Sequence, residues 1–230
     1  NYRQWTEALP PPGPNPDLIP ILTEGTIALA GPDGVLDPAG PGTTPRIVRD
    51  SGETKAQAVD RVLEKAAHGL RLRAVLAGAT GRSLTGKAPL DVRIAIRAAQ
   101  GDCDTPGLFA PFTADMGVAP CDRITLWVTN TSGTAQDVSV LYFTADYQVQ
   151  PIWPSQNLSN RLAPGEGTEV GLMIEPGSPP GLEEIWLLAV PASPDAPRAD
   201  LTHLASTDTT RATPPDPMTA RPAARRSTSP

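Results

Sequence analysis

Short apolar runs separated by turn residues fill positions 123–191, and this pattern limits the possible folds more than any other feature of the chain. The first run has a period of two, which predicts a half-buried strand: Ile124, Leu126 and Val128 alternate with Thr125, Trp127 and Thr129. Further apolar runs follow turn sequences at 138–143, 170–174 and 185–190. Strands this short and this regularly separated predict a small antiparallel β-sandwich.

Composition divides the chain into three parts. The 28 prolines and 20 glycines among its 230 residues crowd into positions 10–45 and the region after Ala205. We therefore expect a Pro/Gly-rich segment over 1–50, a helix-plus-sandwich module over 51–205, and a disordered tail or linker over 206–230. The sequence begins at Asn1 and shows neither an initiator Met nor a signal-peptide pattern there. We therefore expect it to be a piece of a longer chain.

Charge and hydropathy exclude two classes of partner. The formal net charge is −6, which argues against binding to nucleic acid or to an anionic membrane surface. No apolar run has the length of a membrane span, since the longest, 185–190, has the length of a strand.

Two short apolar runs, 18–22 and 26–30, lie inside the Pro/Gly-rich segment. They fit edge strands laid against the body, where Pro is tolerated, and they equally fit an extended linker. Pro32-Asp33-Gly34 predicts a turn, and Pro38–Pro45 predicts a loop.

A helix is predicted near Thr54–Ala67. Thr54 and Gln57 have the spacing of a capping box, in which each side chain pairs with an unsatisfied N–H group at the helix start. Four apolar residues then share one helical face: Val59, Val62, Leu63 and Ala66. Gly69 is expected to end the helix in a left-handed conformation.

The pattern after this helix changes towards strands. Residues 70–77 are ambiguous, because alternate positions are apolar as in a strand but directly follow a helix. Residues 92–97 alternate cleanly and predict the first strand of the sandwich.

Cys103 and Cys121, the only cysteines, bracket a loop between two predicted antiparallel strands. The ends of such a loop lie close together, so a disulfide is plausible and would stabilise the fold by about 3 kcal/mol. The alternative is two reduced cysteines in a cytosolic protein. A bonded pair predicts a periplasmic or secreted protein, and a reduced pair a cytoplasmic one. The cysteine and histidine spacings predict no zinc site.

The chain shows no convincing catalytic group. His68 and Cys103 superficially match the dyad of a caspase-like peptidase, in which His activates a Cys thiolate. However, His68 is expected in the last turn of the helix, where it complements the helix dipole, and Cys103 does not follow a buried strand. His203 is expected at the surface of a short capped helix. Glu183 and Glu184 are expected to be solvated charges, and we predict no catalytic residue and no cofactor.

Two further local patterns carry little weight. Asn130-Thr131-Ser132 and Asn157-Leu158-Ser159 match glycosylation sequons, but matches this short occur by chance. Gly165-Glu166-Gly167 follows a proline and opens a strand rather than a helix, so it does not predict a phosphate-binding loop. Binding residues are therefore not indicated.

The run at 122–130, Asp-Arg-Ile-Thr-Leu-Trp-Val-Thr-Asn, resembles the start of an uncharacterised domain found C-terminal to bacterial caspase-like (metacaspase-type) peptidase domains. Other stretches are similar to that family: 140–146 with 152–154, 160–166, 184–191, and 200–205 as its closing helix. The likeness covers about half of the chain well and 1–101 more loosely. It implies no catalytic residue in this domain and a cysteine peptidase domain before Asn1.

The resemblance leads to our main hypothesis. The chain is expected to be the non-catalytic, immunoglobulin-like C-terminal module of a bacterial caspase-family protein, which recognises a partner, positions a substrate or regulates the peptidase. The resemblance implies a protein partner, either the preceding caspase-like peptidase domain or its substrate. The alternative is a stand-alone extracytoplasmic adhesion or carbohydrate-binding module. Aromatic residues are few, with four Trp, three Tyr and three Phe, which weighs against carbohydrate binding.

One expectation concerns how the parts pack. Residues 185–190 are apolar on both faces of the strand, so we expect this strand to be central and covered on both sides. The amphipathic helix is the available cover, with Trp186 or Trp127 beneath it. The architecture expected is thus a mainly β sandwich with one packed helix and Pro/Gly-rich flanks.

Overall fold

A computed structural model describes residues 16–23, 25–36, 44–80, 88–113, 116–155, 158–193 and 195–205. Within them the fold is mainly β, with three antiparallel sheets and one α-helix, and is consistent with a β-sandwich. The elements are β1 (Ile19–Thr23), β2 (Thr26–Ala30), β3 (Arg46–Ile47), α1 (Lys55–Thr80), β4 (Leu90–Arg97), β5 (Ala110–Pro111), β6 (Arg123–Asn130), β7 (Gln136–Phe143), β8 (Val149–Trp153), β9 (Arg161–Leu162), β10 (Gly167–Met173), β11 (Glu184–Pro191) and a 3-10 helix (Thr202–Leu204). The predicted tail over 206–230 and most of the predicted loop Pro38–Pro45 lie outside the described residues.

The chain forms two compact units. The first combines Asn1–Gly81 with Tyr142–Val149 and Pro179–Glu184, and the second combines the remaining segments, Arg82–Leu141, Gln150–Ser178 and Ile185–Pro230. The helix α1 belongs to the first unit, whereas the sequence analysis groups it with the sandwich over 51–205.

The two apolar runs of the Pro/Gly-rich segment are strands. They form a sheet of their own, in the order β1-β2-β3, and β1 pairs antiparallel with β2 from Ile19 opposite Ala30 to Thr23 opposite Thr26. The predicted turn is confirmed, because the N–H of Gly34 donates to the carbonyl of Gly31 at 2.9 Å.

The predicted capping box is present at the start of α1. The backbone N–H of Thr54 donates to Gln57 Oε1 at 2.9 Å, and the N–H of Gln57 donates to Thr54 Oγ1 at 3.3 Å. The apolar helix face packs on the first sheet: Ala58, Val59, Val62 and the half-buried Leu63 share a core with Ile27, Leu29 and Ile47. The expectation that this face covers Trp186 or Trp127 is therefore wrong. An amphipathic stripe predicts that a helix is covered, but not by which strands.

The helix α1 is longer than predicted and runs to Thr80. Gly69 does not end it but lies in its interior, where a Cβ atom would stand 2.6 Å from the carbonyl oxygen of Tyr147. The glycine is therefore required by close packing rather than by a left-handed backbone. The ambiguous residues 70–77 are helical, and His68 lies in the interior of the helix rather than in its last turn.

The first sheet of the second unit has the order β10-β6-β4-β5. Leu126 of β6 lies opposite Ile94 of β4 on one side and opposite Val170 of β10 on the other. The predicted alternation is confirmed, since Ile124, Leu126 and Val128 are 4%, 0% and 1% exposed. This buried face is the core side of the sheet.

The other sheet has the order β11-β7-β8, with β9 also paired to β7. All eight residues of β7 are buried. Among the strands that the structure describes, β11 lies at the edge of its sheet, which corrects the expectation that it is central and covered on both faces. Within it Leu188 is buried and residues 185–187, 189 and 190 are half-buried. Apolar residues on both faces show that a strand requires cover, but they do not determine its lateral position in a sheet.

Candidate functional site

The segment between β4 and β6 forms a braced loop, described over residues 98–113 and 116–122, and it contains both cysteines. Cys103 and Cys121 lie at disulfide-bonding distance, with Cα atoms 4.6 Å apart. Beside them the buried carboxylate of Asp122 accepts hydrogen bonds from the N–H groups of Ala99 (2.9 Å) and Ala119 (2.8 Å). The disulfide and this carboxylate therefore tie the two limbs of the braced loop together.

Further contacts hold the braced loop from within. The guanidinium of Arg123 donates to the carbonyl of Cys103 at 2.9 Å. Asp102 Oδ1 accepts from the N–H of Thr105 at 2.8 Å, and hydrogen bonding by Thr105 lowers the pKa of this carboxyl group. The N–H of Gly107 donates to the carbonyl of Ala98 at 2.7 Å, and a Cβ atom at this glycine would stand only 2.8 Å from the same oxygen. The loop is thus fixed along most of its length.

Two adjacent apolar side chains of the braced loop, Leu108 and Phe109, are its most exposed large hydrophobic groups. Leu108 is 90% exposed and Phe109 is 53% exposed. The Phe109 ring lies 5.6 Å from that of Trp127, with the planes tilted by 58°. Arg97 Cζ lies 4.9 Å from the Phe109 ring centre, while its Nε donates to the Gly107 carbonyl at 2.9 Å. Phe109 is therefore held in one position although half of it faces water.

Strand register explains what lies beneath this aromatic pair. Trp127 points away from the core face, because it alternates with Leu126 and Val128 along β6. Its neighbours across the sheet are Arg93 and Glu169. Together with the braced loop, this outer face combines the exposed Leu108 with aromatic and arginine side chains, which are enriched in protein interfaces.

Of the residues considered for catalysis, Cys103 and His203 each have a defined partner. The Cys103 sulfur is paired with that of Cys121, and no cysteine is free. A sulfur in a disulfide cannot serve as the thiolate nucleophile of a cysteine peptidase. His203 is exposed on its 3-10 helix, as predicted, and its Nδ1 lies 2.7 Å from the Asp200 carbonyl oxygen.

Glu183 and Glu184 are not solvated charges, which corrects the sequence analysis. The Tyr142 hydroxyl hydrogen-bonds to the Glu183 carboxylate, and burial raises the pKa values of both groups. Arg73 Nε lies 3.0 Å from Glu184 Oε2, an ion pair whose N–H is not aligned for a hydrogen bond. These contacts lie within the first unit and explain the charges structurally.

A recess in the first unit is a weaker candidate site. It has a cavity volume of about 200 Å³, and Val35 and Leu182 stand at it with exposures of 62% and 71%. Arg73, Thr144 and Tyr147 supply its polar groups. Ligand sites usually measure about 300–1,000 Å³, so this recess is small for a drug-sized ligand.

A buried polar cluster on β7 was missed by sequence reasoning. The Asp137 side chain is 2% exposed and pairs with Arg161 at 2.8 Å, and it also accepts the N–H of Ala199 at 2.8 Å. Asn160 Nδ2 donates to the Ala199 carbonyl at 2.7 Å. The cluster fastens the C-terminal segment of the second unit across β7.

The first glycosylation sequon is structural. Asn130 is fully buried, and its amide donates to the carbonyls of Thr134 (2.8 Å) and Leu162 (2.9 Å). A glycan cannot be attached to this side chain in the folded protein. Asn157 of the second sequon lies outside the described residues.

Sequence reasoning also missed Leu108 and Phe109. The sequence did contain a signal for them, because two adjacent apolar residues lie inside a predicted loop. Loop residues outside an alternating run are normally polar and solvated.

Among the described residues, no group of three or more His, Cys, Asp or Glu side chains is placed to hold a metal ion. The described helices include none with the length and apolar character needed to cross a bilayer. Comparisons with protein-family models, with curated proteins and with solved structures found no match to this chain.

Proposed function

We propose that this chain is a non-catalytic, immunoglobulin-like recognition module of a bacterial caspase-family protein, and that it binds a protein partner or substrate through Leu108 and Phe109. The observation that carries the proposal is an exposed apolar pair on a loop fixed by a disulfide, an arginine and a buried carboxylate. A site already held in place loses little conformational entropy on binding, which favours affinity.

The lack of catalysis is supported by the chemistry of the cysteines. Pairing of Cys103 with Cys121 removes the thiolate that a caspase-like mechanism requires. We expect the isolated chain not to cleave peptides that contain Arg or Lys. Cleavage that disappears in Cys103→Ala would refute the non-catalytic assignment.

Recognition is tested in the full-length protein with its peptidase domain. The double variant Leu108→Ser/Phe109→Ser should lower kcat/KM for a protein substrate by about tenfold or more, because each lost anchor contributes on the order of 1–2 kcal/mol. The kcat/KM for a short peptide should not change, because the peptide is long enough to contact only the peptidase site.

The matched control for that experiment is Val48→Ser/Val75→Ser. These valines are 64% and 67% exposed and belong to the first unit. This control should leave unchanged the kcat/KM for the protein substrate and the cleavage of the short peptide. Equal rates on the protein substrate for the Leu108→Ser/Phe109→Ser variant and the unmodified protein would contradict the proposal.

The alternative function is an extracytoplasmic adhesion or carbohydrate-binding module, and one observation favours it. The disulfide-distance pair Cys103 and Cys121 fits an extracytoplasmic location. A peptidase-sized reading frame upstream of Asn1 favours the caspase-family proposal, and a signal peptide directly before Asn1 favours the alternative. Quenching of Trp127 fluorescence by a glycan would also favour the alternative, because sugars stack on exposed aromatic rings.

A further inference from the structure

Within the described residues, one sheet edge lacks the features that normally prevent strands from pairing between molecules. The edge strands β1, β5 and β8 contain Pro20, Pro111 and Pro151, which have no N–H to offer. Edge strand β10 carries the exposed charge of Glu169, and β3 has only two residues. The edge strand β11 has neither proline nor charge from Ile185 to Val190.

The apolar character of β11 makes this edge unusual. Its eight residues are long for an edge strand, and residues 185–190 are all apolar. Five of these six are only half-buried. Long apolar edges pair with further strands unless something blocks them. β11 therefore has the properties of a strand whose outer edge is covered in the working protein.

The backbone groups on that outer edge can be identified from one contact. The N–H of Ala192 donates to the carbonyl of Ala135, which directly precedes β7, at 2.8 Å. In an antiparallel strand the N–H and C=O of one residue point to the same side, and alternate residues point to opposite sides. The backbone N–H and C=O groups of the even-numbered residues of β11 thus point towards β7. The N–H and C=O groups of Ile185, Leu187 and Ala189 point towards the outer edge.

We propose that β11 pairs antiparallel with β11 of a second copy of this chain, about a twofold axis at Leu187. A twofold axis perpendicular to the sheet keeps each face of the sheet continuous across the two copies. In this register Leu187 lies opposite the partner's Leu187, and Ile185 lies opposite the partner's Ala189. Three hydrogen-bonded residue pairs result, which exchange about six N–H···O bonds. Pro191 has no N–H and ends the pairing.

The distribution of charge along β11 favours a second copy of this chain as the strand that covers this edge. Glu184 is the only charged residue of β11, and the register places it opposite the partner's Val190. The two Glu184 residues are then six positions apart along the strands, about 20 Å, which exceeds a Debye length of about 8 Å. No like charges meet, and every outward backbone group in the paired stretch finds a partner. The interface is separate from Leu108 and Phe109 and does not depend on the proposed function.

A cysteine at the axis tests the pairing. In the full chain, Leu187→Cys should form a covalent dimer on mild oxidation, because hydrogen-bonded antiparallel pairs have Cα atoms about 5.5 Å apart, within disulfide range. Ala189→Cys is the matched control. In the proposed register, residue 189 of one copy lies four positions, or about 13 Å, along the strands from residue 189 of the other copy. The Ala189→Cys variant should therefore remain a monomer on a non-reducing gel. Failure of Leu187→Cys to crosslink, or crosslinking of Ala189→Cys alone, overturns the proposal.

Molecular mass in solution provides the second test. The unmodified chain should sediment at twice its 24.1 kDa mass. Leu187→Lys should sediment as a monomer at the same concentration, because two ammonium groups meet at the axis. Glu169→Lys, on the edge strand β10, should remain a dimer, and circular dichroism should show both variants folded. An unmodified chain that is monomeric, as when its own terminal segment covers β11, refutes the proposal, as does a dimer that Leu187→Lys leaves intact.

Discussion

At the scale of single residues, Gly69 shows how one missing side chain permits close packing within the first unit. A Cβ at this position would stand 2.6 Å from the Tyr147 carbonyl oxygen, and backbone cannot move aside as a flexible side chain can. We expect Gly69→Ala to lower the free energy of unfolding by about 1–3 kcal/mol, the usual cost of overpacking. Urea denaturation monitored by circular dichroism measures this change.

Gly78→Ala is the matched control for that substitution. Gly78 lies in the same helix, and a Cβ there would meet nothing within 4 Å. We expect it to stabilise the protein by about 0.5–1 kcal/mol, since alanine loses less backbone entropy in a helix than glycine. Changes of the same sign in both variants would contradict the packing role of Gly69.

Asp137 is expected to make stability depend on pH. Hydrogen bonding from Arg161 and from the Ala199 N–H lowers the pKa of this carboxyl group. A lowered folded pKa contributes stability above the unfolded value of about 3.9, and that stability is lost as pH falls through the folded pKa. The substitution Asp137→Asn should lower the free energy of unfolding by about 3 kcal/mol at neutral pH, because Arg161 is left without its ion partner.

The comparison across pH isolates this carboxyl group. The difference in unfolding free energy between the unmodified protein and Asp137→Asn should begin to shrink as pH falls below about 4 and should vanish below the lowered folded pKa, where both proteins lack the charge. Chemical denaturation at a series of pH values measures it. A difference that stays constant from neutral to acid pH would show that ionisation of Asp137 is not responsible.

At the scale of elements, the braced loop depends on a disulfide that joins residues 18 positions apart. The double variant Cys103→Ser/Cys121→Ser should lower the free energy of unfolding by about 3 kcal/mol, because the open loop gains conformational entropy when unfolded. Intact mass after alkylation without reductant checks that the bond forms. Two alkylated thiols in the unmodified protein would contradict it and would remove the argument for export.

At the scale of the whole molecule, the first unit is built from discontinuous segments. Lys65 pairs with Asp146, and Arg73 lies 3.0 Å from Glu184, so α1 depends on residues far along the chain. We expect a fragment of residues 1–81 not to unfold cooperatively, because it lacks these partners and Tyr147. Thermal unfolding monitored by circular dichroism tests this. A cooperative transition at the melting temperature of the full chain would show that 1–81 folds alone.

Much of the local structure could be predicted from the sequence, but the candidate site could not. Alternation predicted β4 and β6, apolar runs after turn residues predicted β7, β10 and β11, and the spacing of Thr54 and Gln57 predicted the start of α1. The two cysteines marked the loop that carries the site. Leu108 and Phe109 were not predicted, because Phe109 is held by Trp127 and Arg97, which approach it only in the folded sheet.

The sequence by itself determined the start of α1 and the approximate positions of the longer strands of the second unit, because periodicity, capping and turn chemistry act over a few neighbouring residues. Only the tertiary structure decided which surface each element covers. The helix face packs on β2 and β3, Gly69 permits contact with Tyr147, and β11 lies at a sheet edge. The physical reason is that an apolar pattern reports that a residue is buried but not what buries it. The partners are set by contacts between residues far apart in the chain.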